Sequence, residues 1–251
     1  MIKLSIVTIN WNNGPGLEKT IRSVLSQNYP AIEYIIIDGK STDSSVTVIE
    51  SYAPYISYWV SEKDRGLYDA MNKGLQKATG DYVLFLNSAD VLSSDSAITN
   101  LLEGNNGEDV IYGNIALELN DSLKEVKSNG LVVFSKQYQH DLPPHPAMLI
   151  RRTLLNEYNG FDTSYKIIAD VVLIAQIFSD KNIRYTYKDL SVTNFDMNGV
   201  SSSKQNQHEI YLERKRFLTS SFPQYLPDLE RAYSKINTLK KIFNKIRNLF
   251  H

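Results

Sequence analysis

Cysteine is absent from all 251 residues. That excludes disulfides, thiolate metal sites and a cysteine nucleophile, while leaving the compartment open. No apolar run is long enough to span a bilayer. An excess of positive charge is missing too. Lys+Arg 27 against Asp+Glu 28 gives a formal net charge of -1, which argues against a nucleic-acid binder. Met1-Ile2-Lys3-Leu4 runs straight into a strand pattern without the apolar segment and small-residue cleavage site of a signal peptide. The expectation is a cytoplasmic chain. Two nucleotide motifs are lacking as well. Gly14 and Gly16 suggest a dinucleotide fingerprint, but Lys19 stands where the third glycine belongs, and Pro15 removes a backbone donor. Lys19-Thr20 lacks the glycine spacing of a P-loop. The Asn12 to Leu17 stretch therefore reads as a turn before a helix.

A hydrophobic content of 42% supports a sizeable core, and the length suits one large α/β domain. Strand and helix patterns alternate through the first half. Strands are expected at 4–9, 34–37, 57–60 and 82–86. Between them, Leu17, Ile21, Val24 and Leu25 recur at helical spacing, residues 44–52 read as a helix, and Leu67, Ala70, Met71, Gly74, Leu75 and Ala78 stripe another. This alternation implies right-handed crossovers and a mainly parallel, Rossmann-like sheet flanked by helices. The second half is less regular. Strands are expected at 109–116, 147–150, 184–187 and 192–195, a polar hairpin or loop at 117–127, and helices at 167–178, 209–218 and from 226 onward. The expected organisation is one domain over 1–220, with a ligand-binding half at about 1–115 and a second half at 116–220. An amphipathic helical tail follows at 221–251.

The most informative stretch runs from Ser61 to Leu92. The continuous apolar run Tyr82-Val83-Leu84-Phe85-Leu86 fits a strand buried on both faces, and it leads into Asn87-Ser88-Ala89-Asp90. Ligands of open α/β sheets bind beyond the carboxyl ends of strands, so Asp90 stands where a metal-bound diphosphate could lie. Asp38 ends another buried strand. A carboxylate there stands at the ligand side of the sheet, although Asp-Gly is also ordinary turn chemistry.

Three segments, in order, resemble the glycosyltransferases of family 2. Ser5 to Asn13 is similar to their first-strand signature, Ile35 to Asp43 to their DGxSxD segment, and Ser61 to Leu92 to a bacterial polysaccharide-assembly subgroup, the colanic-acid-type transferases. The resemblance implies the GT-A fold. It also implies an inverting transfer of sugar from a nucleotide-sugar donor, with a UDP-sugar expected, to a saccharide on a carrier lipid in bacterial surface polysaccharide synthesis. Asn10, Trp11, Asp38, Asp64, Asp69, Asn72 and Ser88 then fall at donor-binding positions. Trp11 would pack on the base, or else be a core tryptophan. Asp43 is read as a helix cap or loop holder.

Where many members carry Asp-x-Asp, this chain has Ser88-Ala89-Asp90. Asp90 alone would then supply an anionic ligand to Mg2+ or Mn2+, with diphosphate oxygens and water completing the shell; capping the next helix is its other reading. Asp170 matches the family's general base, and as an acid in the apolar run Ile167 to Leu173 it suits a cleft position. A first-turn helix acid is the plainer account. His145 in Pro144-His145-Pro146-Ala147 resembles an HQA segment near the acceptor, with Pro146 in place of Gln. Asn198 to Ser201 resembles a loop near the diphosphate, and His208 reads as a surface residue. A nucleotide-sugar-binding protein without transfer activity is the alternative, motivated by the missing first metal acid. A sugar-1-phosphate nucleotidyltransferase would need a basic glycine-rich loop that Asn12 to Leu17 does not provide.

Ile236, Leu239, Ile242, Phe243, Ile246, Leu249 and Phe250 fall on one helical face, and Lys235, Lys240, Lys241, Lys245 and Arg247 cover the rest. A basic amphipathic helix suits an anionic membrane surface; a homodimer contact or packing on the domain are the other readings. Removing residues 234–251 is expected to release the protein from anionic vesicles in a co-sedimentation assay. Undiminished binding of the truncated chain would refute the membrane role.

Overall fold

The computed structural model describes residues 1–119, 122–128, 142–197, 199, 203–231, 233 and 234. The tail from 235 and Ser201 therefore lie outside the described residues. The first half alternates as its periodicity requires. β1 (Leu4–Asn10) is followed by α1 (Gly14–Leu25), β2 (Ile32–Asp38), α2 (Ser45–Tyr52), β3 (Tyr58–Ser61), α3 (Leu67–Lys77) and β4 (Tyr82–Phe85). Next come β5 (Val91–Leu92), α4 (Ala97–Leu102), β6 (Val110–Leu119), β7 (Ser122–Val126), β8 (Met148–Arg151) and α5 (Arg152–Glu157). The described chain closes with α6 (Ala169–Ser179), β9 (Tyr185–Phe195) and α7 (Gln207–Ser221).

The strands form one nine-stranded sheet in the order β3-β2-β1-β4-β8-β6-β9-β5, with β7 paired to β6. β3, β2, β1 and β4 are parallel, β8 is antiparallel to both β4 and β6, and β9 runs parallel to β6. The chain winds outward from β1 to β3 and then returns to add β4 on the other side of β1. The switch in winding direction thus lies between β1 and β4, where such sheets open a crevice beyond the strand ends.

Side chains alternate across the sheet with the strand period of two. Val7, Ile9, Ile35, Ile37, Val83 and Phe85 face α3 and α6, while Leu4, Ile6, Ile36, Leu84 and Leu86 face α1 and α4. The start of α1 follows from its sequence. The Asn13 side chain accepts the Gly16 N–H at 3.1 Å, and Pro15 occupies the first turn, where no intrahelical donor is needed.

Two departures from the sequence expectation have local causes. Residues 184–187 and 192–195, read as two strands, are one strand, β9. Its register against β6 shifts on either side of Asn114, a bulge that absorbs the polar residues between the two apolar runs. Gly113 permits it, since a Cβ there would sit 2.6 Å from Val192 Cγ2. The short elements β5 and α5 carry too few residues to establish a period, and the sequence reading left them out.

Gly74 sits mid-helix in α3, where a Cβ would overlap Val7 Cγ1. Its absence lets α3 lie close against β1. Gly74→Ala should therefore destabilise the protein by about 1–3 kcal/mol through overpacking, despite alanine's higher helix propensity. Denaturant unfolding measures this, and a neutral or stabilising result would show that α3 has room to move outward.

Candidate active site

The site begins with strand register. In the parallel ladder Asn10 pairs with Asp38, and Asp38 with Ser61, so the last residues of β1, β2 and β3 form one row. The Asp38 carboxylate is wholly buried and accepts four hydrogen bonds. Asn10 Nδ2 (2.8 Å) and Ser41 Oγ (2.6 Å) donate to Oδ1, and the Ser41 N–H (2.9 Å) and Ser61 Oγ (2.6 Å) donate to Oδ2. Asp38 is absent from the cavity wall above it. Expected to accept from a base, Asp38 here spends its acceptor capacity within the protein. Asp43 holds the neighbouring loop as expected, accepting from the Gly14 N–H and from both the N–H and hydroxyl of Ser45.

Over this row lies a cavity of about 530 Å3 lined by Asn10, Trp11, Asp64, Ser88, Asp90, His145 and Asp170, among others. Trp11 is 71% exposed on its rim, which removes the core-tryptophan reading. Asp64 stands opposite. Its Oδ1 accepts from Lys73 Nζ at 2.6 Å. A Cβ at Gly39 would lie 3.0 Å from Asp64 Oδ2 and 3.4 Å from Trp11 Cδ1, so Gly39 leaves the space between carboxylate and indole open.

The turn after β4 sends Asp90 inward. Ala89 adopts φ 79, a left-handed conformation that is uncommon without glycine, and the Thr20 hydroxyl braces the turn at the Ala89 N–H and the Asp90 carbonyl. Asp90 is 3% exposed, and its Oδ1 accepts the Asp196 N–H at 3.0 Å. Burial pushes its carboxyl up to about 7, because the Asp196 N–H and nearby His145 only partly offset desolvation. The carbonyl oxygen of the Asn87 side chain, on the same turn, is buried without a partner.

Asp170 opens α6 and is held from two sides. The Tyr68 hydroxyl on α3 lies 2.6 Å from Oδ1 and 2.7 Å from the Ile167 carbonyl, and His145 Nδ1 lies 3.0 Å from Oδ2. His145 Nε2 in turn lies 3.4 Å from Asn87 Nδ2, connecting Asp170 to the β4 turn. Burial raises the Asp170 carboxyl, but the bonds from His145 and Tyr68 outweigh it and leave the group below the usual carboxylate range. Two acids in one cavity are thus driven apart: Asp90 holds its proton near neutrality and Asp170 stays ionised. Pro146, which departs from the HQA pattern, suits the first turn of the short 3-10 helix His145–Ala147 and keeps His145 on the wall.

Asp69 and Asn72 lie elsewhere. Both line a second, polar groove of about 550 Å3 between α3 and α6. Asp69 accepts the Arg65 N–H at 3.0 Å and pairs with its guanidinium. Asn72 spends both ends of its amide on the Phe161 backbone, donating to the carbonyl and accepting the N–H at 2.8 Å each. Both were expected at the donor site; they line this groove and not the first cavity. Glu62 is exposed and paired with Lys73. Gly199 lines the first cavity, and Ser201 is outside the described residues. Sequence reasoning missed Tyr68 and Asn87. Tyr68 falls beside the apolar stripe of α3, so its polar tip carried no separate signal.

This geometry, two strand-end acids and an aromatic rim at the switch point of a curled α/β sheet, defines a GT-A glycosyltransferase architecture. The family model for glycosyl transferase family 2 matches residues 5–158, and the chain belongs to that family of transferases. An uncharacterised glycosyltransferase of Mycobacterium tuberculosis is 31% identical over 209 residues, covering 80% of this chain and 78% of the relative. A Campylobacter jejuni GalNAc(5)-diNAcBac-PP-undecaprenol β-1,3-glucosyltransferase is 31% identical over 136 residues, 52% of this chain and 44% of the relative. In fold, the chain is similar to Staphylococcus aureus TarS in complex with UDP-GlcNAc. The TM-score is 0.70 at 17% identity, covering 93% of this chain and 73% of that one.

Proposed function

We propose that this enzyme is an inverting glycosyltransferase that moves a sugar from a UDP-sugar to a lipid-linked saccharide. The observation that carries the reading is a single cavity shared by Trp11, Asp64, Asp90 and Asp170. Trp11 offers an aromatic face for the base, and Asp64 Oδ2 beside it offers an acceptor for an imide N–H. Asp38 acts beneath them, fixing Asn10 and the Ser41 loop. Residues 1–115 form the donor-binding half and 116–220 the acceptor side.

A divalent cation, Mg2+ or Mn2+, fits the chemistry of the β4 turn. Asp90 is a buried acid whose desolvation a cation would offset, and the Asn87 carbonyl oxygen on the same turn has no partner. Among the described residues no three acids or histidines cluster as a ready-made cage, so diphosphate and water would fill most of the shell. The cation would supply charge stabilisation for the departing diphosphate.

The chain's own residues handle the acceptor. An acceptor hydroxyl attacks the anomeric carbon as the bond from that carbon to the diphosphate oxygen breaks, and the hydroxyl proton passes to Asp170. The low-lying Asp170 carboxyl is ionised, as a base must be, and Tyr68 and His145 hold its orientation. This pairing of an ionised base with a cation-ready acid favours transfer over binding alone. The acceptor class draws on the undecaprenol-linked saccharide named for the Campylobacter relative. The basic stripe beyond residue 234 would bring such a chain to an anionic membrane from the cytoplasmic side. Among the described residues no helix is long and apolar enough to cross one.

Asp170→Asn should lower transfer at least about 100-fold while UDP binding, measured by calorimetry, changes less than about threefold. Retained turnover would remove Asp170 as base. Proton and cation compete for Asp90. Raising the pH from about 6 to 8 should therefore tighten Mn2+ binding in the presence of UDP by about tenfold. Asp90→Asn should abolish that slope. A cation affinity independent of pH would exclude Asp90 from the shell.

A further inference from the structure

Helix α6 begins two residues later than its apolar pattern suggests, and the reason lies 46 residues away. Glu213, on α7, is 8% exposed, and its carboxylate accepts three backbone N–H groups just ahead of Asp170. The Lys166 N–H donates to Oε1 at 2.6 Å, and those of Ile167 and Ile168 donate to Oε2 at 3.0 and 3.2 Å. These are donors that the start of α6 would otherwise leave unsatisfied, and a carboxylate there also complements the positive end of the helix. A buried carboxylate is costly unless each oxygen is bonded, and here each one is.

The grip extends along the segment. Arg216 donates to the Ser164 carbonyl at 2.9 Å and lies 3.9 Å over the Tyr165 ring. The Ile167 peptide is held at both ends, its N–H by Glu213 and its carbonyl by the Tyr68 hydroxyl that also reaches Asp170. We infer that Glu213 is a positioning residue for Asp170: through the backbone of residues 166–168 it fixes where the base stands. Glu213 does not line the cavity, so it acts through Asp170 and not on the sugar. This rests on Asp170 being the base.

The sequence signal was present. Ile210, Glu213 and Phe217 share one face of α7, and an acid among apolar neighbours at that spacing needs a partner inside the fold.

Glu213→Gln keeps the shape but replaces one acceptor oxygen with an amide donor facing a backbone N–H. The expected result is kcat lower by about 10- to 100-fold from misplacement of the base, with the donor KM within about twofold of wild type. Glu213→Asp, which keeps both acceptors on a shorter stem, should recover part of the loss. A crystal structure of Glu213→Gln should show residues 166–168 displaced and Asp170 out of register with Tyr68 and His145. Wild-type kcat in Glu213→Gln would overturn the inference. So would a joint loss of kcat, donor affinity and thermal stability, which marks support of the fold alone. If wild-type protein shows no transfer, the base assignment falls by itself. The crystal structure still decides the positioning: residues 166–170 unmoved would refute it, and their displacement would uphold it.

Discussion

The level at which three neighbouring parallel strands stop is the constraint on which the site depends. β1, β2 and β3 end in register, so Asn10, Asp38 and Ser61 lie side by side. One buried carboxylate ties these ends and the Ser41 loop together. One wall of the cavity stands on this row: Trp11 follows Asn10 directly, Gly39 follows Asp38, and the 62–64 loop follows Ser61. Burying an ion is favourable here only because its surroundings supply four donors. The same donors occupy both of its oxygens.

The two halves of the sheet contribute different chemistry. The parallel half gives strand ends that open onto a crevice, where Asp64 and Asp90 sit on turns. The mixed half gives a helix, α6, that presents Asp170 from the opposite wall. Tyr68 reaches across from α3, and His145 bridges Asp170 to Asn87. That bridge explains how two acids in one cavity can have opposite protonation tendencies. Asp170 receives donors from both sides, while the Asp196 N–H and nearby His145 only partly offset the burial of Asp90.

Much of this was legible in the sequence, for reasons that differ by element. β1, β2, β4 and the α3 stripe were readable because their burial imposes clean periods. Asp90 and Asp170 were readable as acids placed against apolar runs. The hydrogen-bonded setting of Asp38 was not legible, because it depends on Ser61, 23 residues away and adjacent only through strand register. That of Asn72 was hidden for a like reason, since its partner Phe161 lies 89 residues away in the chain. Local spacing carries no information about such partners.

Trp11 and Trp59 are the two tryptophans of the chain, and they occupy opposite circumstances. Trp59 is half-buried in β3, while Trp11 stands in solvent on the cavity rim. A nucleotide stacked on Trp11 would quench its emission and leave that of Trp59 unaltered. With such stacking, the protein would carry its own optical gauge of donor occupancy, with an internal reference built into the sheet.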